Sequence, residues 1–165
     1  MLFRSVLSRA ALATIALVLA SVEAPVSSAA DAPQRAAEEL RLVVVVHPTR
    51  SDALDREALA QIYLRRRRLW DDGSAIAPLN LPSGDALRES FSQRVLHLSP
   101  ARLADYWNRE YFGGVLPPAT LASTAAVLRY VAADRNAIGY LRVSEVDEQV
   151  RVDRKSTRLN SSHRL

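Results

Sequence analysis

The sequence contains no cysteine, which excludes a disulfide framework and any metal site built on thiolates. Outside residues 153–165 the only histidines are His47 and His97, and neither sits in a pattern typical of metal ligands. The sequence also lacks a G-x-S-x-G elbow, a phosphate-binding P-loop, an H-E-x-x-H pair and a glycine-rich dinucleotide fingerprint. We therefore predict a protein that is not an enzyme and uses no metal or cofactor.

Lysine occurs once, at Lys155, and the basic excess of the chain is concentrated at its two ends. The whole sequence has 22 basic and 18 acidic residues, which gives a formal net charge of +4. Residues 31–152, however, contain 16 arginines and 16 aspartates or glutamates, so this segment is neutral overall. Because a neutral domain does not select a partner by bulk positive charge, we predict no nucleic-acid partner.

Residues 1–30 have the pattern of a secretory signal peptide. Arg4 and Arg9 supply the positive charges, an apolar run follows at residues 10–22, and small residues stand at Ser28–Ala30 before the expected cleavage site. The alternative is an uncleaved membrane anchor, for which the apolar run is short. We predict export through the inner membrane to the periplasm, with no stable membrane insertion after cleavage.

The last residues, 153–165, begin with the polar string DRKSTRLNSSH, which has no periodicity. The string is similar to the conceptual translation of a common sequencing adapter, and the alternative is a natural disordered tail. We treat residues 153–165 as an expected artefact and assign one α/β domain to residues 31–152, a length typical of a single compact domain.

Strand and helix signals alternate along this domain. The run LVVVV at residues 42–46 is typical of a strand buried on both faces, and further strands are expected at residues 76–79, 120–122, 137–141 and 150–152. Helices are expected from Ser51 or Asp52 to about Leu64, from Asp85 to about Leu96, from Pro100 to Gly113, and after Ser123 or Thr124. The third of these helices has Leu103, Trp107 and Tyr111 on its apolar side. This order predicts a layered α/β domain whose parallel or mixed sheet is flanked by helices.

Residues 76–91 contain the candidate binding site. They read as a strand, a loop at residues 82–85 and the start of a helix, where the first N–H groups have no internal partner and the helix dipole is positive. Such a junction is suited to bind an oxyanion. The candidate ligand-binding residues are Ser83, Gly84, Asp85, Arg88, Thr49 and Ser51.

Thr49 and Ser51 enter this hypothesis because ligands of open α/β sheets bind beyond the carboxyl ends of the strands. With Arg50 between them, they follow the first strand and would approach the same anion from that end. The competing interpretation is structural throughout: Asp85 caps a helix, whereas Thr49, Arg50 and Ser51 form a turn and a cap.

Several motifs occur in the order and spacing of a known family: Ile62-Tyr63, Trp70, Ser83-Gly84, Phe91 and Ala137–Tyr140. In these the chain resembles the small single-domain members of the phosphate transporter substrate-binding protein family, over about residues 42–152. The resemblance implies a fold like a single lobe of a type 2 periplasmic binding protein. It also implies a role in uptake or sensing, with inorganic phosphate or a similar oxyanion as ligand and an envelope transporter or sensor as partner.

The chain departs from the family pattern at Asp85, where the family commonly has serine or threonine. A carboxylate there satisfies the helix N–H groups and repels an anion, and two charges about 4 Å apart interact by about 4 kcal/mol at an effective dielectric of about 20. Arg88 would offset part of this repulsion, and a protonated phosphate oxygen could donate to Asp85, which would favour hydrogen phosphate over sulfate. Since full-length members bind their anion between two lobes, the alternative is an accessory module that contacts an envelope protein and has lost the ligand.

Overall fold

The computed structural model describes residues 41–153. The predicted signal peptide and the chain after Asp153 lie outside the described residues. The strands are β1 (Leu42–Val46), β2 (Ala77–Asn80), β3 (Ala119–Thr120), β4 (Ala137–Arg142) and β5 (Arg151–Val152). The α-helices are α1 (Arg56–Tyr63), α2 (Ala86–Phe91), α3 (Pro100–Phe112) and α4 (Thr124–Ala133). A π-helical turn, Ser92–Leu96, extends α2, and a 3₁₀ turn, Val143–Glu145, follows β4.

The five strands form one mixed sheet in the order β3-β2-β4-β1-β5. Strand β2 pairs in parallel with β3 and β4, whereas β1 pairs antiparallel with β4 and β5. The predicted α/β layered fold is confirmed. Strands β1 and β2 therefore run in opposite directions, and their carboxyl ends lie at opposite ends of the sheet. This matters for the candidate binding site, whose residues follow both strands.

Helices cover both faces of β4, which explains why this strand and its neighbour β1 are almost fully buried. On one face, Gly139 lies directly under Val127 of α4. On the other face, the ring of Tyr140 stacks on Phe91 with a centroid distance of 4.2 Å, and Tyr63 of α1 completes the aromatic cluster. Because successive strand residues point to opposite faces, the sheet is the middle of three layers.

Short polar side chains begin each helix. Asp85, Ser99 and Ser123 accept hydrogen bonds from the first turns of α2, α3 and α4, as expected. The cap of α1 differs from the expectation: Asp55 accepts from the N–H of Ala58, so the helix begins later than a cap at Ser51 or Asp52 would place it.

Asp153 packs against the domain, although it belongs to residues 153–165, which were expected to be an artefact. Its N–H donates to the Val44 carbonyl at 2.9 Å, its carboxylate accepts from the N–H of Leu54, and its side chain is buried. The packed unit among the described residues therefore continues one residue beyond the expected boundary at Val152.

Helix α3 packs through a small apolar cluster of its own. Leu103 and Tyr106 contact Leu64 after α1, separately from the main core around β1 and β4. Tyr111, expected on the apolar side of this helix, is 62% exposed, because α3 extends past the cluster that would cover it. No helix within residues 41–153 combines the length and apolar character needed to cross a bilayer.

Candidate functional site

The loop between β2 and α2 makes a tight turn whose backbone requires glycine. Gly84 has a φ of +87°, in the left-handed region that other residues adopt at a cost. The N–H of Asp85 closes the turn on the Pro82 carbonyl at 3.2 Å. Within the described residues, neither Ser83 nor Gly84 donates its backbone N–H to a protein acceptor. Within this exposed turn, the N–H groups of Ser83 and Gly84 therefore remain without a protein acceptor, next to the Ser83 side chain.

Asp85 acts as a helix cap. Its Oδ1 accepts from the N–H of Leu87 at 2.8 Å and from the N–H of Arg88 at 3.2 Å. The expected helix cap at Asp85 is thus present, and the carboxylate already satisfies two of the donors that an anion at the helix axis would use. An anion at this connection must bind beside the cap, on the Ser83-Gly84 turn, rather than on the helix terminus itself.

Arg88 supplies the positive charge of this region. Its Nη1 donates to the Leu81 carbonyl at 2.7 Å, which ties the guanidinium to the end of β2. A guanidinium has five N–H donors, so this bond fixes the side chain and leaves further donors for a ligand. Behind it, burial raises the pKa of the Tyr140 hydroxyl, which remains protonated and donates to Asn80.

Ser83, Gly84 and Arg88 line one cavity of about 160 Å³ between α2 and α3. Asp85 is not among its lining residues, but Glu89 is. The remaining walls are mainly apolar and are formed by Ser92, Pro100, Leu103, Ala104 and Trp107. The α3 wall was not predicted from the sequence, although its residues follow helical i, i+3, i+4, i+7 spacing, because only tertiary packing brings α3 against α2.

Thr49 and Ser51 lie elsewhere. They line a second cavity, of about 310 Å³, with Asp71, Asp72 and Arg135 among its other walls. This cavity lies at the end of the sheet where β4 begins, since Val46 of β1 is paired with Ile138 near the start of β4. The two groups of residues therefore do not form the shared site that was expected, because β1 and β2 run in opposite directions. Thr49 is also engaged locally, its Oγ1 lying 2.8 Å from the His47 Nδ1.

Arg50 lines this second cavity and holds the surrounding loops together through hydrogen bonds. It is buried, and its guanidinium donates to the Arg135 carbonyl, the Asp72 carboxylate, the Ser74 hydroxyl and the Asn136 side-chain oxygen at 2.6–2.9 Å. It also lies 4.6 Å from the centroid of the Trp70 ring. The sequence predicted Arg50 either beside an anion or in a turn, whereas in the structure it joins its own loop to the loops at residues 72–74 and 135–136.

The carboxylates around Arg50 make the second cavity unfavourable for an anion. Asp52, Asp71 and Asp72 outnumber the two arginines that line it. The side-chain and backbone hydrogen bonds from Ser74, aided by Arg50, lower the pKa of Asp72 to about 2. This carboxylate is therefore ionised at neutral pH and would repel phosphate at Thr49 and Ser51. No cluster of three or more metal-ligating His, Asp or Glu side chains occurs within residues 41–153.

Comparison with known proteins supports the fold. No family model and no curated protein matches the sequence. Solved structures do match: an ABC-type phosphate transport receptor from Vibrio cholerae has a TM-score of 0.53 and 19% sequence identity, over 67% of this chain and 44% of the receptor. A Clostridium perfringens protein solved with bound phosphate has a TM-score of 0.55 and 18% identity, over 69% of this chain and 45% of its own.

A third similar structure is PstS from Borrelia burgdorferi, with a TM-score of 0.53 and 15% identity over 68% of this chain and 46% of PstS. The chain thus spans less than half the length of the structures that it matches. Sequence identities this low establish the fold alone. The five-stranded mixed sheet with its flanking helices matches a lobe of the periplasmic-binding-protein fold.

Proposed function

We propose that this protein is an exported, non-enzymatic binding protein for inorganic phosphate or a similar oxyanion. The bound anion would contact Ser83, Gly84 and Arg88. The observation that carries the proposal is that these three residues line one cavity beside a strand-to-helix turn. The fold is shared with a phosphate transport receptor and with a protein solved with bound phosphate, which adds support. Ligand binding would serve uptake or sensing, with a transporter or sensor of the envelope as protein partner.

The turn offers complementary donors to one face of a tetrahedral anion. The Ser83 hydroxyl, the free N–H groups of Ser83 and Gly84, and the unused N–H groups of Arg88 all belong to this connection. Neutral hydrogen bonds contribute about 1 kcal/mol each, whereas bonds to charged groups contribute about 1.5–3 kcal/mol. Arg88 is therefore expected to supply the largest single part of the affinity.

Two carboxylates near the turn determine which anion is preferred. Asp85 caps α2 next to the turn, and Glu89 lines the cavity. A fully ionised anion such as sulfate has no proton to donate to either carboxylate and is repelled by both. Hydrogen phosphate carries one proton that can be donated to a carboxylate oxygen. We therefore expect phosphate to bind more tightly than sulfate.

Calorimetric titration with phosphate and with sulfate tests the proposal. The purified protein is expected to bind phosphate saturably at one site, and Ser83→Ala and Arg88→Gln should weaken binding by roughly fivefold and tenfold or more, respectively. Arg129→Gln, which removes an exposed arginine of α4, is the matched charge control and should leave the affinity unchanged. Thermal unfolding of each variant shows whether the fold is intact.

Absence of binding by the folded protein would reject the oxyanion proposal. It would favour the accessory module, in which Asp85 only caps α2. The Asp85→Ser variant separates the two functions, because it removes the repelling carboxylate and keeps a capping side chain. If Asp85→Ser creates phosphate affinity that the natural sequence lacks, the natural protein is not a phosphate binder.

A further inference from the structure

A third cavity, of about 540 Å³, lies beside α3 and combines positive charge with an apolar floor. Its rim holds Arg66, Arg102 and Arg109, and the acidic residue that lines it is Asp105. We name it the arginine cavity. Among the described residues, none of these three guanidinium groups forms an ion pair. Three positive charges against one negative charge leave a local excess of positive charge in a domain that is neutral overall.

The position of Arg66 distinguishes it from the arginines next to it in the sequence. Arg65 donates to the Ile76 carbonyl at 3.2 Å, Arg67 pairs with Asp71 at 2.8 Å, and Arg68 donates to the Arg65 carbonyl at 3.0 Å. These bonds hold three of the four consecutive arginines to the turn after α1. The guanidinium of Arg66 lies instead over the Tyr106 ring, 5.6 Å from its centroid. Arg66 is thus directed towards the arginine cavity.

The floor of the arginine cavity is apolar and fixed. It is formed by Leu64, Leu96, Leu98 and the ring of Tyr106. The Tyr106 hydroxyl donates to the Leu64 carbonyl at 2.8 Å, which holds the ring in place under Arg66. A cavity volume of this order is common among small-molecule sites.

The arginine cavity is separate from the proposed oxyanion site. On α3, Arg102, Asp105, Tyr106 and Arg109 face the arginine cavity, whereas Pro100, Leu103, Ala104 and Trp107 line the oxyanion cavity. The two sets share the same spacing but are offset by two residues, which is about 200° around a helix. Helix α3 therefore stands between two cavities and contributes one face to each.

We propose that the arginine cavity binds a small organic dianion with an apolar or aromatic body. The charge excess favours two anionic groups, one near Arg66 and the other near Arg102 and Arg109. The leucine floor and the Tyr106 ring favour an apolar body between them, which an inorganic anion does not provide. Because the arginines are exposed, the ionic part of the affinity decreases as salt concentration rises.

Calorimetric titration of the purified protein with naphthalene-2,6-dicarboxylate tests this proposal. The monoanion 2-naphthoate and the neutral 2-naphthol are the matched ligands. We expect saturable 1:1 binding of the dicarboxylate, roughly tenfold weaker binding of the monoanion, and no measurable binding of the neutral compound. Each of Arg66→Gln, Arg102→Gln and Arg109→Gln should weaken dicarboxylate binding by roughly three- to tenfold.

Two control variants link the binding to this cavity. Arg129→Gln on α4 should bind the dicarboxylate as the natural sequence does, and so should Ser83→Ala, which affects only the proposed oxyanion site. Equal affinity for the dianion and the monoanion, or unchanged affinity in all three arginine variants, would overturn the proposal. Binding of an acidic peptide with no binding of the dicarboxylate would also overturn it, in favour of a protein partner.

Discussion

Gly139 lies on the face of β4 that packs against Val127 of α4. A Cβ atom added at this position would overlap the Cγ1 of Val127, which is itself buried. Overpacking of this kind costs about 1–3 kcal/mol because neighbouring side chains and backbone must shift. We therefore expect Gly139→Ala to lower the free energy of unfolding by about this amount, as measured by urea denaturation.

The variant Val127→Ala is the matched partner for Gly139→Ala. It removes the methyl group that the new Cβ would overlap, so the two substitutions together should destabilise the protein less than the sum of their separate effects. A coupling free energy of about 1 kcal/mol or more is expected. Strict additivity of the two effects would contradict the close approach of Val127 to Gly139.

Asp72 links stability to pH. Hydrogen bonds from Ser74, with a contribution from Arg50, lower its pKa from an ordinary value of 3.8 to about 2. A lowered pKa in the folded state stabilises the protein above the unfolded pKa, and this contribution is lost as pH falls through the folded value. The stability difference between the natural sequence and Asp72→Asn should therefore shrink between about pH 4 and pH 2.

Urea unfolding at several pH values measures this difference. Asp71→Asn is the neighbouring control, because Asp71 is largely exposed and pairs with Arg67 rather than with the Arg50 network. Its difference from the natural sequence should change less over the same interval. A constant difference for Asp72→Asn across this interval would contradict the role assigned to the Ser74 and Arg50 bonds.

At the scale of single residues, the sequence predicts what depends on local chemistry. Asp85 and Ser99 cap their helices as expected, because capping joins groups only two or three residues apart. The Arg50 network was not predictable in the same way. It joins Arg50 to residues 22–86 positions away, and these meet only because β1 and β4 are paired.

Helix α3 packs outside the main core. Its buried anchors are Leu103 and Tyr106, which belong to a separate small cluster, and the Tyr106 hydroxyl bonds to the Leu64 carbonyl. Elements with few buried apolar contacts open locally at a lower free energy than the global unfolding. We expect the amides of α3 to exchange with solvent faster than those of β1 and β4.

Native-state hydrogen exchange measures this difference. The Tyr106→Phe variant removes one hydrogen bond worth about 1 kcal/mol and should speed exchange in α3 by roughly fivefold. Tyr130→Phe is the matched control, because Tyr130 is 43% exposed and lies on α4. Equal exchange rates in α3 and the central strands would show that α3 opens only with the whole domain.

Among the elements, β1 shows both the value and the limit of the sequence pattern. The continuous run LVVVV predicted a buried strand, and its bounds agree with the structure. The pattern carries no information about strand direction, so β1 was expected to end beside the β2–α2 connection. Its antiparallel pairing with β4 separates Thr49 and Ser51 from Ser83 and Arg88.

At the scale of the whole molecule, the chain has the fold of one lobe and spans less than half the length of the phosphate-binding structures that it matches. The proposed oxyanion residues Ser83, Gly84 and Arg88 lie close together in the sequence, which is why residues 76–91 could be selected without a structure. The apolar wall supplied by Trp107 could not be predicted, because it comes from a helix that packs against α2 only in the folded chain.

The measurement that tests the central proposal most directly is a phosphate titration of the ¹⁵N-labelled protein followed by NMR. We predict saturable chemical-shift changes at the amides of Ser83 and Gly84 and at the side chain of Arg88, with much smaller changes in a matched sulfate titration. Thr49 and Ser51, at the other end of the sheet, should not respond. Saturable changes confined to Thr49 and Ser51, or no saturable change at any amide, would contradict the proposed oxyanion site.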